Sequence, residues 1–166
     1  MKQINKLLTA LILTFGISIA YANDAKIGVV DLQKIMQTAE QMKEIQKSLE
    51  KDFQPRREKL VNMEKKIKQE MEKLKRDGAV MSEAKRKELE KKIVSEQRQF
   101  EQEGQQYQKQ LSTAHNQAME TFYNQIREAI SKIAKHDILD IVLQKDAAPY
   151  SSEKLDVTSR VLKEIK

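Results

Sequence analysis

Cysteine and tryptophan are absent from these 166 residues, and there are only two prolines and four glycines. Without cysteine there are no disulfides, no thiol nucleophile and no thiolate metal ligand, so packing alone must hold the fold. Aromatic residues make up 5% and charged residues 34%, which argues against an ordinary globule built around a large apolar core. Long apolar runs are equally scarce, with one at the N-terminus and none later that could span a membrane. What fills the chain is Lys, Glu and Gln, the composition of long helices and coiled coils.

The apolar run Leu7–Ile19 follows Lys2 and Lys6 and precedes Ala20-Tyr21-Ala22. A basic start, a short apolar stretch and a small-x-small site describe a secretory signal peptide cleaved after Ala22, at residues 1–22. At 1.5 Å per residue the run is too short to cross ~30 Å of hydrocarbon. The remainder is expected to be soluble and exported, at most one modest domain.

Three zones follow. In "KIGVVDLQKIM", Ile27–Val30 is a short β-prone run, and Asp31 is placed to cap a helical turn. From about Thr38 the apolar period becomes helical, with a seam of Ile45, Leu49, Phe53, Leu60, Met63, Ile67, Met71 and Leu74. Pro55 is expected to kink or break this helix near Phe53, because proline lacks the N–H and clashes with the preceding turn. Asp77-Gly78 then signals a turn and Ser82-Glu83 a new helix start. A second seam of Leu89, Ile93, Phe100, Tyr107, Leu111, Ala114, Ala118, Phe122, Ile126 and Ile133 runs to about Lys135. Two such seams joined by a tight turn predict an antiparallel helical hairpin over 38–135 with its tip near 77–82. Arms on the order of 55 to 80 Å long must project beyond the rest of so short a chain.

The second arm is thinly packed between Gln97 and Gln110, where seven of fourteen residues are Gln and Gly104 interrupts. Pro55 and Gly104 are therefore candidate hinges. The third zone, "DILDIVL", predicts a strand with Leu139, Ile141 and Leu143 on one buried face and Ile138 and Val142 opposite. After the turn-rich "KDAAPYSSEK" comes a last helix, "LDVTSRVLKEI", capped by Asp156 and burying Val157, Val161, Leu162 and Ile165. The β zones bracket the hairpin, so residues 23–37 and 136–166 should meet as its base. The fold class is α+β and mostly α. A base of some 45 residues rarely stands alone without disulfides, metal or partners, which points to self-association. Ile27, Val29, Leu139, Ile141 and Leu143 are its candidate core.

No enzyme signature appears. His115 and His136 lie 21 residues apart with no ligand cluster at metal spacing, and there is no G-x-S-x-G elbow and no glycine-rich phosphate loop. No catalytic residue, metal or cofactor is expected.

Charge is distributed unevenly. Beyond Ala22 the chain carries 29 basic and 25 acidic residues, a formal +4. Residues 73–92 hold eight basic side chains (Lys73, Lys75, Arg76, Lys85, Arg86, Lys87, Lys91, Lys92) against four acids, so the whole excess sits at the turn. Such a tip could neutralise phosphates, but export and the lack of a stacking aromatic exclude nucleic acid as the expected partner. Beside apolar Val80 and Met81, the basic tip suits an anionic, partly apolar partner.

"KIGVVDLQKIMQ" at 26–37, "SEQRQFEQEGQQY" at 95–107 and above all "APYSSEKLDVTSRVLKEIK" at 148–166 resemble the Skp/OmpH family of periplasmic chaperones. The resemblance implies a homotrimer with a shared intersubunit β-core and three arms around a cavity. It further implies that unfolded outer-membrane β-barrel proteins are held there without ATP. It also implies lipopolysaccharide as a partner. Yet "QKQLSTAHNQ" at 108–117 is poor in Lys and Arg where that contact would be sought, leaving only a general attraction of the tips to anionic lipid.

The competing reading is a coiled-coil spacer or envelope scaffold. A spacer would need continuous tight heptads, whereas this chain has Pro55, Gly104 and the Gln-rich gap.

Overall fold

The computed structural model describes residues 24–165. The signal-peptide reading lies outside them. The order is β1 (Ile27–Val30), α1 (Leu32–Thr38), α2 (Glu40–Asp77), α3 (Glu83–Asp137), β2 (Ile141–Gln144), two short 3-10 turns and α4 (Thr158–Glu164). None of the described helices is long and apolar enough to cross a membrane.

Local chemistry explains the boundaries. Asp31 Oδ1 accepts from the Lys34 N–H at 2.8 Å, capping α1. Ser82 caps α3, its hydroxyl accepting from the Lys85 N–H. Between them α2 stays unbroken for 38 residues, straight through Pro55, against the expected break. Proline there removes only the bond to the Lys51 carbonyl, on the exposed side of the helix. The cost is offset nearby, where Phe53 is buried and meets Tyr107 of α3 edge to face, with centroids 5.9 Å apart.

The two long helices run antiparallel, as pairs Arg56–Gln110, Lys59–Glu103 and Glu70–Lys92 follow one another in opposite order along them. At 1.5 Å per residue they reach about 57 and 82 Å. The seam holds as read, with one register error. Met71 is 49% exposed, and the inward position belongs to Glu70, whose side chain is 14% exposed.

At the other end α3 closes on Ile138, which adopts a left-handed φ of 55°. A β-branched residue there carries backbone strain. The chain then pairs β2 parallel with β1, Ile27 opposite Ile141 and Val29 opposite Leu143, so the two β zones do meet. Within a single chain the strand's apolar residues divide. Leu139 precedes the strand, and Val142, with Leu139, packs on the core while Ile141 is 46% exposed. Val29 is buried within its own chain.

That core gathers Val30, Ile35, Phe122, Ile126, Ile133 and Val161 among its buried members. The root of α3 is thus part of the body, which anchors the arm rigidly at its base. The last helix begins one residue later than expected, at Thr158. Asp156 still serves it, its Oδ1 accepting from the Thr158 N–H at 2.8 Å.

Polar clamps close the body. Arg160 grips Asp137 with its two terminal guanidinium nitrogens, and His136 Nδ1 lies 2.8 Å from the same carboxylate. Arg160, then His136, hold the Asp137 carboxyl well below the usual range. Backbone N–H donation from Lys34 lowers Asp31, and Thr158 lowers Asp156. Each folded pKa lies below the unfolded one, so the associated stability is present above about pH 4 and lost as pH falls through the folded values. Thermal melts between pH 7 and pH 3 should show the loss. Asp137→Asn should flatten that slope, and an unchanged slope would remove Asp137 as a contributor.

Candidate functional site

The hairpin tip is built from the residues that end one helix and start the next. The Gly78 N–H donates to the Leu74 carbonyl at 2.9 Å, and Val80 and Met81 fold back onto the Asp77 carbonyl. A Cβ on Gly78 would run into the Leu74 carbonyl oxygen, so the turn needs glycine for space, its φ of −56° being ordinary. Val80 stands at the apex, 87% exposed, and Met81 is half-buried beside it.

Among the basic residues of the tip, some charges are locally paired. Arg76 forks onto Asp77 at 2.9 and 3.1 Å, Lys87 reaches Glu83 at 2.6 Å, and Arg86 lies 3.6 Å from Glu90. The Arg76 side-chain bond holds the Asp77 carboxyl below its ordinary range and raises Arg76 in turn. These pairs are exposed, and such pairs contribute on the order of 0–1 kcal/mol, so a partner's carboxylate can replace the internal one at little cost. Lys73, Lys75, Lys85 and Lys91 have no carboxylate within salt-bridge reach among the described residues. The structure therefore brings Lys75, Val80 and Lys85 to one small exposed tip.

A few turns inward lies a polar group hidden from the apolar pattern. Lys92 Nζ reaches Glu70 at 2.5 Å and Lys66 Nζ reaches Glu96 at 2.8 Å. The Lys66 ammonium holds the Glu96 carboxyl below its usual value. Glu70 Oε2 and Glu96 Oε2 are buried without a partner. Here the seam is polar, bracketed by buried Ile67 and Ile93. Continuing the heptad of Leu60, Met63, Ile67 and Leu74 by position would have found Glu70, but reading apolar residues alone chose Met71.

Of the hinge candidates, Gly104 lies inside an unbroken helix with open space where a Cβ would stand. Gly104→Ala should stabilise α3 by about 1 kcal/mol. Combined with Pro55→Ala it should narrow spin-label distances between arm tips of an assembly; an equally broad distribution would count against hinging. The body candidates divide. Ile27 and Ile141 are exposed together with Ile138, which is 71% exposed, while Val29 and Leu139 serve the chain's own interior. Among the described residues no cluster of three His, Asp or Glu side chains is placed to hold a metal.

Over residues 26–165 the sequence matches a family model, that of the OmpH-like outer membrane proteins. The chain belongs to the OmpH-like family. It is similar to the chaperone protein Skp of Blochmanniella pennsylvanica, 30% identical over 166 residues, covering 99% of both chains. The Skp of Photorhabdus luminescens is 30% identical over 157 residues, covering 92% of this chain and 95% of that one. In structure it resembles an OmpH-like outer membrane chaperone of Caulobacter crescentus. The TM-score is 0.77 at 13% identity, covering 86% of this chain and 84% of that one, a likeness of fold.

Proposed function

We propose that this OmpH-like protein is an ATP-independent holdase chaperone of the periplasm. As a homotrimer it sequesters unfolded outer-membrane β-barrel proteins between its arms and keeps them from aggregating on the way to the outer membrane. The observation that carries the reading is the hairpin itself: α3 is about 82 Å long, ends in an exposed basic and apolar tip, and is rooted in a small body. Relatives named as Skp chaperones support it.

Barrel precursors alternate apolar and polar residues, so no single stretch suits one deep apolar groove. Many weak, mixed contacts along the arms match that chemistry better. Exposed Ile27, Ile138 and Ile141 beside a two-stranded sheet suit self-association, since so small a sheet is marginal alone. Anionic lipid would meet the same free lysines at the tip. No catalytic step and no cofactor enters the mechanism.

Light scattering of the purified protein, alone and with a urea-diluted outer-membrane porin, tests both halves. A mass of three chains and suppressed porin aggregation are expected. An oligomer that leaves aggregation unchanged would favour the envelope-spacer reading instead.

A further inference from the structure

The arm has two unlike flanks. Positions one residue before a seam residue lie on one flank, and positions one residue after it lie on the other, some 100° to either side. On the first flank Lys59 reaches Glu103, Lys66 reaches Glu96 and Lys92 reaches Glu70, so charged bridges lace the two helices together. The second flank has no such bridge among the described residues. Its interhelical contact is the weak approach of Gln97 Nε2 to the Met71 sulfur at 3.8 Å. This second flank instead exposes Val61, Met71 and Val94.

We propose that this unbridged flank is the surface that grips an unfolded client, and that it takes extended segments bearing acidic and alternating apolar side chains. The proposal rests on the holdase reading above and names the contact face within it.

Three features select that occupant. First, a groove of about 640 Å³ opens along this flank at the waist of the arm, floored by Leu49, Phe53, Tyr107 and Leu111 and edged by Val61 together with Glu50, Arg57 and Glu58, so this part of the face takes apolar rather than acidic side chains. Its floor is apolar and its volume admits a few side chains. Second, Val61 and Met71 are ten residues apart on α2, about 15 Å along the helix. A second arm packing here would need apolar residues at every third or fourth position, which this flank lacks. An extended chain repeats the same face about every 6.6–7 Å, so two steps nearly match the gap. Third, on the outer side of α3 next to Val94 stand Lys87, Lys91 and Arg98 against Glu90, so the edge of the flank toward the tip is basic. An acid-bearing segment finds complementary charge there and apolar footholds beside it.

The test places a photo-crosslinking amino acid at position 61 or 94 on the unbridged flank, and at 106 or 110 beside Lys59 and Glu103 on the bridged flank. The probe is a urea-unfolded porin added to the purified protein. Several-fold higher porin yields at 61 and 94 are expected. Equal yields on both flanks, or arm-to-arm products at 61 and 94 that porin does not displace, would overturn the assignment. In parallel, the combined variant Val61→Gln, Met71→Gln, Val94→Gln should weaken porin binding by about tenfold, since each position loses part of an apolar contact. It should keep its helicity, because all three side chains are exposed. If the unsubstituted protein suppresses porin aggregation and the variant binds equally well, the face assignment alone fails. If the unsubstituted protein suppresses nothing, the holdase reading fails with it.

Discussion

Ile141→Asp is expected to leave the chain folded and to reduce the assembly from three chains to one. The two effects separate because Ile141 is 46% exposed in the single chain, so a carboxylate there stays hydrated while the protomer is alone. Val142, its neighbour, turns to the core with Leu139 and keeps the sheet attached. In an assembly that covers Ile27, Ile138 and Ile141, the same carboxylate would be buried without a partner. That costs several kcal/mol per site, enough to dissociate a complex of small bodies. Light scattering supplies the mass and circular dichroism the helicity. Native trimer mass for the variant would mean that self-association uses another surface.

Replacing Lys75, Arg76, Lys85, Arg86 and Lys87 together by Gln should slow capture of an unfolded porin about tenfold or more at low salt. Among the described residues Lys75 and Lys85 have no carboxylate within salt-bridge reach, and Arg76, Arg86 and Lys87 hold only exposed partners, so the tip's field is available to an approaching acidic chain. Attraction between exposed charges falls off over about 8 Å at physiological salt, so the two proteins should converge as salt rises. Helicity and mass should be unchanged, since these positions lie off the seam and far from the body. Stopped-flow binding at two ionic strengths reads the difference. Equal rates at low salt would leave the tip as a solubilising turn.

Much of this was legible in the chain because the signals are local or periodic. Asp31 and Ser82 announce helix starts, and each accepts the N–H expected of a cap. The seams from Ile45 to Leu74 and from Leu89 to Ile133 announce two long helices, and Gly78 announces the turn between them. The misreadings fall where a local rule competes with a neighbour the chain cannot display. Pro55 reads as a breaker, yet the helix continues because Phe53 is held against Tyr107. Met71 reads as seam because it is apolar, yet Glu70 turns inward because Lys92 stands opposite to neutralise it. In the returning strand, apolar residues stand on both faces, so alternation could not choose the buried one. Pairing with β1 chose Val142.

The sequence by itself therefore determined the hairpin, its length, its basic tip and the meeting of the two β zones, since periodicity, caps and charge act within a few residues. Only the tertiary structure decided which strand face is free, which carboxylates enter the seam, and that one flank of the arm is laced while the other is open. Those outcomes depend on which side chains stand opposite one another across two helices, from 22 residues apart in the chain for Glu70 and Lys92 to 44 for Lys59 and Glu103. Pairings of that kind are set by packing register, which no single stretch of residues encodes.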